Sequence, residues 1–211
     1  MRLAFIGYGN VGGALADRLR RLGHDVTLAS ADPSSESLAK VLARNPSLAV
    51  APPAEAVAGA DVVFLATPFA ANAEALAPVA SVLAGKVLVD CTNPVGPGLA
   101  HVPGTARSGS EAVQALVPGA RVVKAFSVYG FENFEDASFP GHSVKPAMFL
   151  CGDDAAAKAA VSTLAAELGF EPLDTGGLVQ ALHLEHMTLL WVRLVRAGGH
   201  SPNLVWGALR R

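Results

Sequence analysis

A doubly wound parallel α/β sheet is the fold class this sequence predicts, and three observations predict it. Short β-branched runs alternate with helical segments, the order that lays helices on both faces of a parallel sheet. Hydrophobic residues make up 51% of the 211 residues and charged residues only 16%, the balance expected of strands buried on both faces. A Gly-x-Gly-x-x-Gly run, Gly7, Gly9 and Gly12, stands between the first apolar run and the first helical one.

The elements follow in order. Strands are expected over 2–6, 25–29, 62–66, 87–90, 121–126, 147–151 and 171–174. Helices are expected over 10–22, 35–43, 70–84, 109–116, 154–168 and 178–197, with a shorter one over 53–58 ahead of the third strand. Ser108 and Glu111 have capping-box spacing at the start of the 109–116 helix. Asp153 and Asp154 read as caps for the following helix, and Gly169 falls where a helix-terminating glycine belongs. The last strands extend the sheet, and 178–197 forms a short helical C-terminal segment. Two segments break the rhythm: 96–109, rich in Gly, Pro and Ser, reads as a long surface loop, and 130–146 is irregular but aromatic. Five aromatics, Phe126, Tyr129, Phe131, Phe134 and Phe139, fall close together and offer walls for a planar ligand or anchors for a loop.

Composition excludes several functions. A net charge of −2 makes no electrostatic case for nucleic acid or an anionic membrane. The N-terminal run carries a glycine fingerprint and continues through Asp17 into an amphipathic helix, which argues against a secretory signal. The longest apolar stretch, 62–85, is interrupted by Pro68, Asn72, Glu74 and Pro78, so no membrane span is expected. Two cysteines, Cys91 and Cys151, provide neither a disulfide framework nor a metal quartet. A cytoplasmic location is the expectation.

The glycine run is the first chemical signal. In a strand–turn–helix context Gly7 permits the tight turn, Gly9 lets backbone approach a pyrophosphate, and Gly12 brings helix close to strand. The pyrophosphate would rest on the free N–H groups and positive dipole end of the helix beginning near Asn10. This is the Rossmann arrangement. The second strand ends at Ser30, where an acid would hold the adenosine ribose of NAD. A serine there removes the carboxylate that repels a 2′-phosphate, which favours NADP, with NAD the alternative. Ala31 adds no charge, and Asp32 opposes a phosphate unless it points outward.

Six segments in order, "GYGNVGGALADRL", "GADVVFLATPF", "VLVDCTNP", "ARVVKAFS", "FLCGDDAAAK" and "LGFEPLDTGGL", carry a resemblance. The chain resembles the NADPH-dependent F420 reductases (F420H2:NADP oxidoreductases), their bacterial relatives and the oxidoreductase domain of the six-transmembrane metalloreductases. The resemblance covers residues 1 to about 195. It implies hydride transfer between NADP(H) and coenzyme F420 or a flavin, with no catalytic side chain required. It implies that Gly7, Tyr8, Gly9, Asn10, Val11 and Gly12 cradle the pyrophosphate, and that Ser30 and Ala31 meet the 2′-phosphate. Thr67, Pro68 and Phe69 would lie along the cofactor. Asn93 and Pro94, after Cys91, would approach the nicotinamide ribose, and Ala125, Phe126 and Ser127 would floor the nicotinamide site. Two positions depart from the family: Ala31 stands where it commonly has Arg, and Ser127 where relatives often have Asn. Glu185 matches a family glutamate of structural role.

Other groups are weighed beside these. His183 and His186 share a helix face but lack a third ligand, so no metal is expected. Of His101, Arg107, Lys124 and Lys145, Lys124 is the one expected to meet an anionic acceptor tail. An alcohol dehydrogenase of the hydroxyacid type would need a Lys base on a late helix, and 178–197 contains none. Residues 1–152 are expected to form the dinucleotide-binding domain and 153–211 an extension completing the sheet and acceptor cleft. The apolar "TLLWVRLV" segment predicts a homodimer. The rival function is a non-catalytic dinucleotide-binding redox sensor or assembly factor.

Overall fold

The computed structural model describes residues 1–104 and 106–211. Its strands are β1 Arg2–Ile6, β2 Asp25–Ala29, β3 Ala49–Ala51, β4 Val62–Leu65, β5 Val87–Asp90, β6 Val95–Gly96, β7 Ala100–His101, β8 Arg121–Lys124, β9 Ala147–Gly152 and β10 Glu171–Asp174. Its helices are α1 Asn10–Arg21, α2 Glu36–Arg44, α3 Pro53–Gly59, α4 Asn72–Leu76, α5 Gly109–Leu116, α6 Glu132–Glu135, α7 Ala155–Glu167 and α8 Ala181–Val192.

Eight strands form one sheet in the order β10-β9-β8-β5-β4-β1-β2-β3. All neighbours are parallel except β8 and β9, so the two C-terminal strands run against the other six. Chain order reverses between β1 and β4, and the crevice of a doubly wound sheet opens there, beyond the strands' carboxyl ends. Alternation along β1 explains the two cores. Leu3 and Phe5 join Leu15, Leu19 and Leu28 on one face, while Ala4 and Ile6 join Val57, Leu76 and Val113 on the other.

Several expectations are corrected. The 70–84 helix is only α4 flanked by single turns at Phe69–Ala71 and Ala77–Val79, since Pro78 brings no N–H to continue the ladder. The 178–197 helix is a turn, then α8, then a wide five-residue π turn at Arg193–Ala197. The 96–109 loop contains part of the small β6–β7 hairpin. β8 stops at Lys124, two residues early, because Phe126 adopts φ +53°, a left-handed conformation that no strand continues.

The aromatic segment is mostly core. Phe5 stacks on Phe64 at 4.5 Å, Phe64 meets Phe126 at 5.9 Å, and Phe126 meets Phe134 at 6.1 Å. Tyr129 stacks on Phe170 and donates its hydroxyl to the Ala147 carbonyl, tying the segment to β9. Phe126, Tyr129 and Phe134 therefore anchor the loop, and only Phe131 and Phe139 line surface clefts. Two of the three N-terminal caps expected from sequence are present: Ser108 accepts from the Glu111 N–H, and Asp154 from the Ala157 N–H. Asp153 instead accepts from the Leu178 N–H, and Gly169 closes α7 with φ +101°.

Candidate functional site

The glycine turn sits at the reversal of strand order. Gly7 holds φ +88°, and a Cβ there would lie 2.7 Å from the Ala66 carbonyl carbon and the Thr67 nitrogen. A Cβ on Gly12 would reach within 2.1 Å of the Gly7 oxygen, so α1 packs on the turn at a distance only glycine permits. Gly9 is different: a Cβ there would meet nothing within 4 Å. The space over Gly9 is open, and α1 begins beneath it with no side-chain cap and no acidic residue in its first turn. Those unclaimed N–H groups and the helix dipole make a seat for an anion. A cleft of about 650 Å³ runs from this seat, lined by Gly7, Tyr8, Gly9, Ala31, Thr67 and Pro68 among others. Asn10 and Val11 open α1, Asn10 lining a smaller adjoining cleft and Val11 packing against the core. The cleft's position, open glycine and uncapped helix fit a dinucleotide pyrophosphate.

At the adenosine end Ser30 is buried. Its hydroxyl donates to the Asp32 carbonyl at 2.9 Å and accepts from the Tyr8 hydroxyl at 2.9 Å. Asp32 is exposed and turned into its own loop, where the Ser34 hydroxyl and N–H hold its carboxyl below the usual range. Ala31 is exposed beside it.

At the other end the loops after β4, β5 and β8 are joined by hydrogen bonds. Thr67 donates to Asn72, Asn72 to Thr92, and Thr92 to Asp90. The Asn93 amide donates to the Ser127 carbonyl at 3.2 Å, and the Thr188 hydroxyl lies 3.0 Å from Asn93 Oδ1 and 2.9 Å from that same carbonyl. Phe69 and Pro94 converge on Gly109, where a Cβ would lie 2.9 Å from one and 3.1 Å from the other. The Ser127 hydroxyl is buried without a hydrogen-bond partner, next to the strained Phe126. Ala125 and Phe126 are themselves buried, with the Phe126 ring committed to the core. A buried hydroxyl left unpaired beside a positive-φ residue is uncommon in a folded core.

Behind these loops lies an ionic cluster the sequence did not predict. Lys124 is fully buried, 3.4 Å from Asp90 and 3.7 Å from Glu185, and it donates to the Thr92 carbonyl. Glu185 accepts from the Gly109 and Ser110 N–H groups and from His101 at 2.5 Å, while Asp90 accepts from Ser110 at 2.5 Å. The expectation that Lys124 meets an acceptor tail is therefore overturned: its ammonium is consumed inside the fold. Arg107 and Lys145 lie on the surface. Burial pushes the Cys91 thiol far above its ordinary range and that of Cys151 up to about 12, so neither is a ready nucleophile. His186 is exposed and packs edge-on to His101, and His183 is exposed. Among the described residues no group of three or more His, Cys, Asp or Glu could hold a metal ion, and no helix is long and apolar enough to cross a membrane.

Asp90, Thr92, Asn72 and Thr188 were not singled out from sequence. The one signal was Asp90, a lone charge closing an apolar strand.

A doubly wound sheet with an open glycine cradle at its reversal point defines a dinucleotide-binding protein of the Rossmann class. The family model for coenzyme F420-dependent NADP oxidoreductases matches residues 2–94. A candidate F420-dependent NADP reductase from Arthrobacter sp. FB24 superposes over the whole of both chains with a TM-score of 0.85 and 33% identity. The Sinorhizobium meliloti protein SMa0349 matches with a TM-score of 0.74 and 32% identity over 86% of this chain and 87% of its own. Metalloreductase STEAP3 of Rattus norvegicus is 34% identical over 190 residues, 89% of this chain, which spans only 36% of that protein. The chain belongs to the F420-dependent NADP oxidoreductase family. A 3-hydroxyisobutyrate dehydrogenase of Mycobacterium tuberculosis, 18% identical with a TM-score of 0.68 over 93% of this chain and 62% of its own, shares the fold alone.

Proposed function

We propose that the protein transfers a hydride directly between NADP(H) and a planar small-molecule acceptor, coenzyme F420 or a flavin. The observation that carries this is Ser127, after β8 and away from the pyrophosphate seat, whose carbonyl is held by Asn93 and Thr188 while its buried hydroxyl has no partner. NADPH, when bound, supplies the hydride. The chain's part is to bind and orient. Gly7, Tyr8, Gly9, Asn10, Val11 and Gly12 hold the pyrophosphate, Ser30 and Ala31 border the 2′-phosphate, and Thr67, Pro68 and Phe69 flank the cofactor's length. Asn93, Pro94, Ala125, the Phe126 backbone and Ser127 fix the nicotinamide. Lys124, Asp90 and Glu185 are spent on one another, which leaves them unfit as the free base an alcohol dehydrogenase needs. Direct hydride transfer depends on alignment and needs no such base. The reading places the protein in the cytoplasm as a homodimer, with no nucleic-acid or membrane partner.

The test is NADPH oxidation by purified protein with F420, FMN and a quinone as acceptors. Turnover with F420 or FMN is expected, and Ser127→Ala should lower kcat/KM about fivefold or more while leaving the melting temperature unchanged or slightly raised, because an unsatisfied polar group is removed. Tight NADPH binding with no turnover of any planar acceptor would instead make the protein a redox sensor.

A further inference from the structure

The NADP reading leaves a charge unaccounted for. A 2′-phosphate needs a cation, Ala31 provides none, and the Ser30 proton is already donated to the Asp32 carbonyl. The acids nearby, Asp32 and Glu36, work against a phosphate. A second, smaller cleft of about 190 Å³ adjoins the first, sharing Tyr8, Gly9 and Ser37 with it. It brings two cations of α2, Lys40 and Arg44, to the same side of the glycine turn.

These cations differ in freedom. Arg44 is held by two carboxylates, Glu135 at 2.7 Å and Asp17 at 3.3 Å, and Asp17 is buried and anchored further by Asn45 and Arg21. Moving Arg44 would strip a buried carboxylate of a partner, which is costly. Among the described residues Lys40 pairs only with Glu36, both side chains being about three-quarters or more exposed, at 74% and 83%. Such a pair is worth little in water and opens readily. Ser37 and Lys40 stand three residues apart, on one face of α2, and both line the cleft at Tyr8.

We infer that Lys40, with Ser37 beside it, supplies from α2 the 2′-phosphate contact that residue 31 does not, and so sets the preference for NADPH over NADH. Lys40 leaves Glu36 and turns its ammonium to the phosphate at the junction of the two clefts, where the Ser37 hydroxyl adds a donor. This rests on the NADP reading of the site.

The experiment is a fluorescence titration of the full chain with NADPH and with NADH at low and high salt. Wild-type protein should prefer NADPH, and the preference should shrink as salt rises. Lys40→Gln should weaken NADPH about tenfold, as expected for a lost charge-assisted hydrogen bond, and leave NADH unchanged. Glu36→Gln should tighten NADPH a few-fold by freeing Lys40. Lys40 is exposed, so the variant folds, and an unchanged melting temperature checks this. A wild-type preference for NADPH that survives Lys40→Gln intact would overturn the assignment to Lys40 alone. A wild type that binds NADH as tightly as NADPH would overturn the NADP reading itself, and the inference with it.

Discussion

Gly9 and Gly12 differ in what surrounds them, and alanine at each separates fold from function. A Cβ at Gly12 would sit 2.1 Å from the Gly7 oxygen, a backbone atom that cannot yield without moving the turn. Gly12→Ala should cost at least the ~1–3 kcal/mol of an overpacked core, lower the melting temperature and abolish NADPH binding. A Cβ at Gly9 meets nothing within 4 Å, so Gly9→Ala should fold. It should nonetheless weaken NADPH by tenfold or more, since the methyl fills the space over the uncapped N–H groups. Thermal melts and nucleotide titrations on both variants check this. A Gly9→Ala protein with unaltered affinity would mean that the pyrophosphate does not approach there. Ser127 and Phe126 belong to the same scale: one residue carries a hydroxyl without a partner, and its neighbour takes a left-handed backbone.

Four elements meet at Lys124: the end of β8 that bears it, the end of β5 through Asp90 and Thr92, the start of α5 through Ser110, and α8 through Glu185. The cluster sets the spacing of the loops that carry Asn93, Pro94 and Ser127. Lys124→Met would leave two fully buried carboxylates without their shared cation, and breaking a buried pair in this way costs ~3–5 kcal/mol. Urea denaturation should show that loss, whereas a loss below ~1 kcal/mol would mean that the hydrogen bonds from Ser110, Thr92 and the α5 N–H groups suffice for the carboxylates. This cluster was not legible in the sequence. Each member is an ordinary charge within its own segment, and only the parallel pairing of β5 with β8, which sets Asp90 opposite Lys124, and the return of α8 bring them together. What was legible is what repeats locally: apolar strand runs, the strand–turn–helix around Gly7, the Ser108 and Asp154 caps. β3 was missed because three residues, Ala-Val-Ala, are too few to show a period, and α4 was overextended because its apolar run continues past Pro78.

For the whole molecule, the exposed face of α8 and the hairpin beside it remain to be explained. Leu190 is 49% exposed and Val102 48%, and Val95 and Val179 are also large apolar residues open to solvent. The hairpin is fixed to α8 by the His101–Glu185 contact and by Arg193, which donates to the Leu99 carbonyl, so this face is a firm one. Apolar surface on a firm scaffold marks an interaction site, and we expect a second copy of the chain to cover it. Light scattering at micromolar concentration should then give twice the chain mass. Leu190→Asp should halve it, because a carboxylate buried without a partner opposes association. Residues 153–211 supply α7, β10 and α8, and Glu185 and Trp191 from this part are buried in the common core. We therefore expect 1–152 and 153–211 to unfold in one transition, and Leu190→Asp to leave the monomer folded with its NADPH affinity intact. A wild type that scatters as a monomer would remove the second copy as the occupant of this face. A Leu190→Asp protein that remains dimeric would place the interface elsewhere on the surface.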